Sequence, residues 1–235
     1  MLAQATNTIT LRGSTDIVVQ FFDDAVNSIL YQRGIYQPED FGKESKYGIM
    51  VYKTTDQVLQ GYISNVMKQL ESWLMEGNVQ KLVLVVKSNE TGDTLERWVF
   101  DCQATVPDKE NIRSVCHNLM HIVLYLTIFL KIKTSFFSEY RAHKSEKDIA
   151  KEIQAIIRQI TSSVTFLPQI EPEQCAFDLL VYADKDTPVP VTWEDTDPCY
   201  IANAEDVRLR SFSTKVIYIR YQPYIKITLQ TLVDS

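Results

Sequence analysis

The chain has 235 residues and a net charge of −6, with 45% hydrophobic and 23% charged residues, the composition of an ordinary globular protein. Seven glycines stand where average usage gives about sixteen, and none lies closer than six positions to the next, so no phosphate-cradling glycine loop of the GxGxxG or GxxxxGK[ST] kind is present. The three histidines, His117, His121 and His143, fall within 27 residues, which leaves none for a triad or a zinc centre elsewhere, and the acidic balance excludes wrapping nucleic acid as the main activity.

The N-terminal stretch MLAQATNTITLRGS has no apolar core, so no secretory leader is expected. Ser14 is placed to cap a first helix bearing Ile17, Val18, Phe21, Phe22, Ala25, Val26, Ile29 and Leu30, with Gly34 as its stop. A loop containing Pro38 leads to a strand, YGIMVY, at 47–52. Asp56 caps a second helix that Gly77 ends; its buried face is expected to carry Val58, Leu59, Tyr62, Ile63, Val66, Met67, Leu70, Trp73 and Leu74. The run KLVLVVKSNETGDTLERWVFDC reads as a β-hairpin turning near Glu90–Asp93, with Val83, Val85, Leu95 and Trp98 packed.

Residues 115–137, VCHNLMHIVLYLTIFLKIKTSFF, break the pattern: they hold no acidic residue and only two charges, Lys131 and Lys133. The uninterrupted apolar part, 122–130, is far short of the roughly 20 residues a membrane span needs. Three readings compete: a membrane anchor from Leu119 to Phe137, a buried extra element, and translated intron sequence. The last is favoured by the wealth of Ile, Leu, Phe, Tyr and Lys that AT-rich non-coding sequence encodes, and transcript sequencing decides it.

A third helix starts at Ser145, whose spacing to Asp148 resembles a capping box, and carries Ile149, Ile153, Ile156, Ile157, Ile160 and Val164 until Pro168 and Pro172 break it. The remainder is β-rich: CAFDLLVYAD at 175–184, a proline-containing loop to Trp193, then EDVRLRSFSTKVIYIRY. Helices and strands are grouped rather than alternating, which predicts an α+β fold with helices on a mostly antiparallel sheet.

Candidate chemistry is sparse. Cys116, His117 and His121 have a spacing that helical zinc ligands use, but no partner glutamate or fourth ligand accompanies them, so no metal, cofactor or catalytic residue is assigned. Cys102, Cys116, Cys175 and Cys199 lack CxxC spacing and read as reduced, buried thiols. Asp23–Asp24 and Glu194–Asp195 read as solvated charge. Trp193 is open between core and partner contact. Arg158 and Gln159 interrupt the isoleucine stripe of the third helix, as an exposed face or as a protein contact.

Seven blocks then stand in collinear order: ITLRGS (9–14), NSILYQRGIY (27–36), VQKLVLVV (79–86), LERWVFD (95–101), IIRQITSSVTFLP (156–168), FDLLVYADKD (177–186) and EDVRLRSFST (205–214). Together they resemble the HORMA-domain family, and within it the mitotic spindle-checkpoint branch. The resemblance implies a HORMA domain over 9–216, interrupted at about 115–137, with an atypical tail at 217–235. It implies three helices packed on a mainly antiparallel sheet, and a mobile C-terminal safety belt that wraps a partner peptide added to a sheet edge.

By position, the resemblance makes Phe177, Asp178, Leu179, Leu180, Val181, Tyr182, Ala183 and Asp184 the partner-peptide edge strand. It makes Trp193, Arg208, Arg210 and Phe212 part of the belt, and Arg158, Gln159 and Phe166 the contact where open and closed conformers form a homodimer. Implied partners are a kinetochore recruiter protein and the activator of the anaphase-promoting complex, both through short peptide motifs, and an AAA+ remodelling ATPase with its adaptor. The implied setting is the nucleus, kinetochore and cytoplasm. Alternatives are a HORMA adaptor of translesion DNA polymerase or the meiotic chromosome axis, and, from another class, a membrane-tethered protein. The tail departs from the family pattern: Pro223 cannot donate to a sheet ladder and is expected to interrupt a strand.

Overall fold

The computed structural model describes residues 11–103, 145–171, 174–201, 204–214 and 224–232. The apolar stretch 115–137, with Cys116, His117 and His121, lies outside them, as do His143 and Pro223.

Helix α1 (Leu11–Gln32) is the centre of the molecule: Phe21, Phe22, Ala25, Val26, Ile29 and Leu30 are all fully buried. It begins before Ser14, so that residue is not its cap. Ser14 is itself buried, and its hydroxyl meets that of Thr214, 200 positions away. Gly34, at φ 65°, ends the helical segment as expected.

The expected strand at 47–52 is in fact half of a hairpin. Strands β1 (Phe41–Lys46) and β2 (Ile49–Thr54) pair antiparallel around Tyr47 and Gly48, whose φ values of 53° and 72° suit a two-residue hairpin turn. The hairpin lies against α1 through a buried charge cluster. Asp24, expected in solvent, is fully buried and meets the Lys46 Nζ at 2.6 Å, the Lys53 Nζ at 3.1 Å and the Tyr47 hydroxyl at 2.7 Å. The reason is that α1 is covered on two sides, by sheet and hairpin, so its solvent face is narrower than a one-sided stripe implies.

Helix α2 (Gln57–Glu76) has the expected ends: the Asp56 Oδ1 accepts from the Leu59 N–H at 2.7 Å, and Gly77 adopts φ 81°. Its buried face holds Leu59, Ile63, Val66, Met67, Leu70, Trp73 and Leu74. Val58 and Tyr62 depart from expectation, at 82% and 40% exposed, because they lie at the margin of that stripe. Helix α3 (Glu146–Ser163) starts at Ser145, whose Oγ accepts from the Asp148 N–H at 3.2 Å, and buries its five isoleucines. Val164 falls just past its last residue.

The main sheet contains β3 (Val79–Ser88), β4 (Thr94–Gln103), β5 (Cys175–Ala183), β6 (Ala204–Arg208), β7 (Phe212–Ser213) and β8 (Tyr224–Leu232). Every pairing is antiparallel and the order is β5-β3-β4-β8-β6, with β7 also on β8. Alternation divides its residues between two faces: Leu82, Leu84, Val86, Trp98 and Phe100 join the helical core, while Val83, Val85, Val99 and Leu180 form a smaller cluster on the opposite face. Among the described residues, three α-helices and the antiparallel sheet make the α+β architecture expected. The tail does supply a strand: β8 begins at Tyr224 and pairs with β4 from Gln103↔Tyr224 to Glu96↔Thr231.

Candidate functional site

Strand β5 sits at one end of the sheet and, among the described residues, pairs with β3 alone. Of the eight residues expected to form the edge, Phe177 to Ala183 lie in this strand. Asp184 lies one position beyond it, where its N–H donates to the Asn78 carbonyl at 2.9 Å. Antiparallel pairing directs alternate backbone groups outward, so β5 presents a row of groups able to take another strand. The Asp178 carboxylate is tied to the Lys87 Nζ at 2.8 Å, and the Tyr182 hydroxyl reaches the Pro198 carbonyl at 3.5 Å.

The chain after β5 must reach β6 at the opposite end of the sheet, and its route passes beside the β5 edge. It first turns beside α2: the Trp73 Nε1 donates to the Pro188 carbonyl at 3.2 Å, and the Trp193 ring meets Trp73 edge to face at 5.1 Å. Trp193 is therefore half-buried against the core rather than free. The segment then crosses the sheet face away from the helices, where Cys199 packs on the smaller cluster and Tyr200 lies 4.7 Å from the Arg97 guanidinium. Cys199 takes a φ of 53°, unusual for a residue with a side chain.

At the far end, β6 places Arg208 opposite Thr228 of β8. The Arg210 N–H donates to the Gln159 Oε1 at 2.8 Å, and Phe212 is buried 4.8 Å from Phe21, edge to face. Trp193, Arg208, Arg210 and Phe212, expected by resemblance in the belt, thus bracket the crossing. Arg158 is exposed on α3, Phe166 is 56% exposed just beyond it, and Gln159 is half-buried between α3 and the crossing segment.

Between β5, α2 and the crossing segment lies an open cavity of about 990 Å³. Its walls are Asp178 to Tyr182 on β5, Tyr62 to Gln69 on α2, and Trp193 to Pro198 on the crossing segment. With Asp178 neutralised by Lys87, the rim carries Glu194, Asp195 and Asp197 against one cation, Lys68, so it favours positive charge. Glu194 and Asp195 are exposed, as read from the sequence. Among the described residues no cluster of metal-ligating side chains occurs, and no helix is long and apolar enough to cross a membrane.

Three features escape a reading of the sequence. Tyr62 lines the groove and its hydroxyl accepts from the Leu179 N–H at 3.2 Å; its helical spacing marked it only as core. Arg33, half of a buried pair, donates through Nε and Nη2 to both Glu96 oxygens, at 3.1 and 2.5 Å, and also to the Pro168 carbonyl at 2.5 Å. Burial pushes the Glu96 carboxyl up, and Arg33 offsets part of that rise. Cysteine burial is uneven: Cys102 is buried, while Cys175 and Cys199 are partly exposed.

Residues 14–217 match the model of the HORMA domain. The chain is 46% identical over 215 residues to the mitotic spindle assembly checkpoint protein MAD2A of Dictyostelium discoideum, covering 92% of this chain and 91% of that one. It superimposes with a TM-score of 0.71 and 40% identity on a chain from the crystal structure of a mitotic checkpoint complex, covering 94% of this chain and 99% of that one. Caenorhabditis elegans HTP-2 bound to a HIM-3 closure motif shares the fold at a TM-score of 0.63 and 10% identity, over 95% and 92% of the two chains. By contrast, DNA polymerase zeta subunit 2 of Drosophila melanogaster is 26% identical over only 46% of this chain and 56% of its own length.

Proposed function

On the premise that this chain belongs to the HORMA-domain family and to its MAD2 spindle-checkpoint group, we propose that it is a spindle assembly checkpoint adaptor that captures short peptide motifs of its partners as an added strand on β5. The observation that carries this reading is the groove beside β5. One wall is a sheet edge with, among the described residues, no second strand beside it, and the opposite wall is a segment whose ends are fixed at the two ends of the same sheet. A peptide in that groove gains ladder hydrogen bonds and is held beneath a strap.

The partners are a kinetochore recruiter and the activator of the anaphase-promoting complex, each presenting an extended motif. The acidic rim favours motifs with a Lys or Arg opposite Asp195 or Asp197. The adaptor acts without catalysis, by restraining that activator until chromosomes attach. Open and closed conformers pair through Arg158, Gln159 and Phe166, and an AAA+ ATPase with its adaptor reopens the closed one. The site of action is the nucleus, the kinetochore and the cytoplasm. The identity and coverage of the checkpoint relatives favour this over the polymerase and meiotic-axis readings. Fractionation tests the membrane-tethered alternative, since a freely sedimenting pool after detergent-free lysis counts against it.

Calorimetry with synthetic peptides from the recruiter and from the activator tests the proposal. Saturable binding of either peptide, weakened by a proline at an outward-facing position of β5 such as Val181→Pro, supports it. Binding of neither peptide overturns it.

A further inference from the structure

Strand β5 is not a bare edge. Its alternation is fixed by the pairs Val83↔Leu180 and Leu84↔Leu179 with β3. The Leu179 N–H bonds to a side chain on α2 rather than to β3, so it belongs to the row directed away from the sheet. Its partner is the Tyr62 hydroxyl at 3.2 Å, standing where the carbonyl of an incoming strand would stand. The Tyr62 ring is held for this by an edge-to-face contact with Phe177, two residues earlier on the same strand, at 5.7 Å; Phe177 in turn meets Tyr36 at 6.1 Å. At 40% exposed, Tyr62 keeps a free path out of the way.

We infer that Tyr62 is a stand-in for the missing strand: its hydroxyl occupies the Leu179 position of the empty β5 edge and must be displaced when a partner peptide docks. The inference rests on the peptide-capture reading above and adds a residue that gates it. Two consequences follow for the free protein. The edge is blunted at its middle, which discourages pairing with other chains' strands. A docking peptide exchanges one hydrogen bond for another at Leu179, so that position adds little net affinity while the flanking outward groups add theirs.

Tyr62→Phe removes the hydroxyl and keeps the ring against Phe177, so the fold is retained. Amide hydrogen exchange on the full chain, without peptide, reads the contact directly: the Leu179 amide is protected in the wild type and exchanges faster in Y62F. Surface plasmon resonance with the recruiter-derived peptide reads the gate: Y62F binds about two- to tenfold tighter, the worth of one net hydrogen bond, chiefly through a faster association rate. Unchanged Leu179 exchange overturns the inference, and so does faster exchange with unchanged or weaker binding. If the peptide binds neither protein, the capture reading fails, and the gate fails with it even where Leu179 exchange changes.

Discussion

The rings of Trp73 and Trp193 meet edge to face at 5.1 Å, joining the last turns of α2 to the segment that leaves β5. Trp73 also donates its indole N–H to the Pro188 carbonyl, so one core residue holds the strap at two points five residues apart. Because Trp73 is buried within α2 while Trp193 is half-exposed on the strap, the pair is a fixed post and a movable latch.

Trp193→Ala is therefore expected to loosen the strap while leaving the core nearly intact. The peptide's dissociation rate should rise about thirtyfold, the roughly 2 kcal/mol lost when an aromatic anchor is truncated. The melting temperature should change little. Surface plasmon resonance and calorimetric melting check the two halves, and a large drop in melting temperature would assign Trp193 to the core instead.

Arg158 is exposed on α3 beside Gln159, which holds the Arg210 backbone. Arg158→Glu should weaken self-association and leave peptide affinity unchanged, because the groove proposed for the peptide is lined by β5 and α2, not α3. Elution volume over a concentration series measures the first, and calorimetry the second. An elution profile identical to wild type contradicts the assignment of this face.

The buried Arg33–Glu96 pair links the end of α1 to β4 and, through the Pro168 carbonyl, to the segment after α3. Glu96→Gln leaves the guanidinium buried without its counter-charge and should cost about 3–5 kcal/mol, measured by urea unfolding. The pH dependence has a definite sign. Burial holds the Glu96 carboxyl above its ordinary value in the folded state, so its contribution to stability is complete below the ordinary carboxylate value and is lost as pH rises through the raised one. That part of the slope should vanish in E96Q.

Thiol chemistry separates the cysteines. Burial pushes the Cys102 thiol up to about 12, and its side chain is sealed beneath the helices. Iodoacetamide at pH 8 should modify Cys175 and Cys199 while sparing Cys102, and denaturant should abolish the difference. Mass spectrometry of tryptic peptides reports the order, and early labelling of Cys102 would mean that the β4 core opens readily.

Local signals in the sequence were strongest where a single residue decides the outcome. Asp56 and Gly77 bound α2 because a cap needs one carboxylate and a left-handed end needs one glycine. Ser145 and the isoleucines placed α3 equally well. What stayed hidden depends on partners distant in the chain. Asp24 reads as a surface acid until β1 and β2 bring Lys46, Lys53 and Tyr47 to it. Ser14 reads as a cap until Thr214 arrives from the far end of the chain. Strand β1, FGKESK, escaped because it buries only Phe41 and so shows no apolar period. Of the groove, the β5 wall was legible from the family blocks. Tyr62 was not, since spacing locates a residue on a helix face but not at the margin where that face meets an open strand.

The two ends of the strap are fixed at opposite ends of the sheet, one after β5 and the other at β6, β7 and β8, with Phe212 sealed under α1. A peptide captured as proposed is consequently threaded, and it leaves when either attachment of the strap lets go. Residence time then becomes a folding property. Two peptides of quite different contact strength should depart at similar rates, with the steep temperature dependence of unfolding, about three- to sixfold per 10 °C. Under the proposed capture, unassisted release of a peptide is set by how often one end of the strap comes away from α2 or from β4.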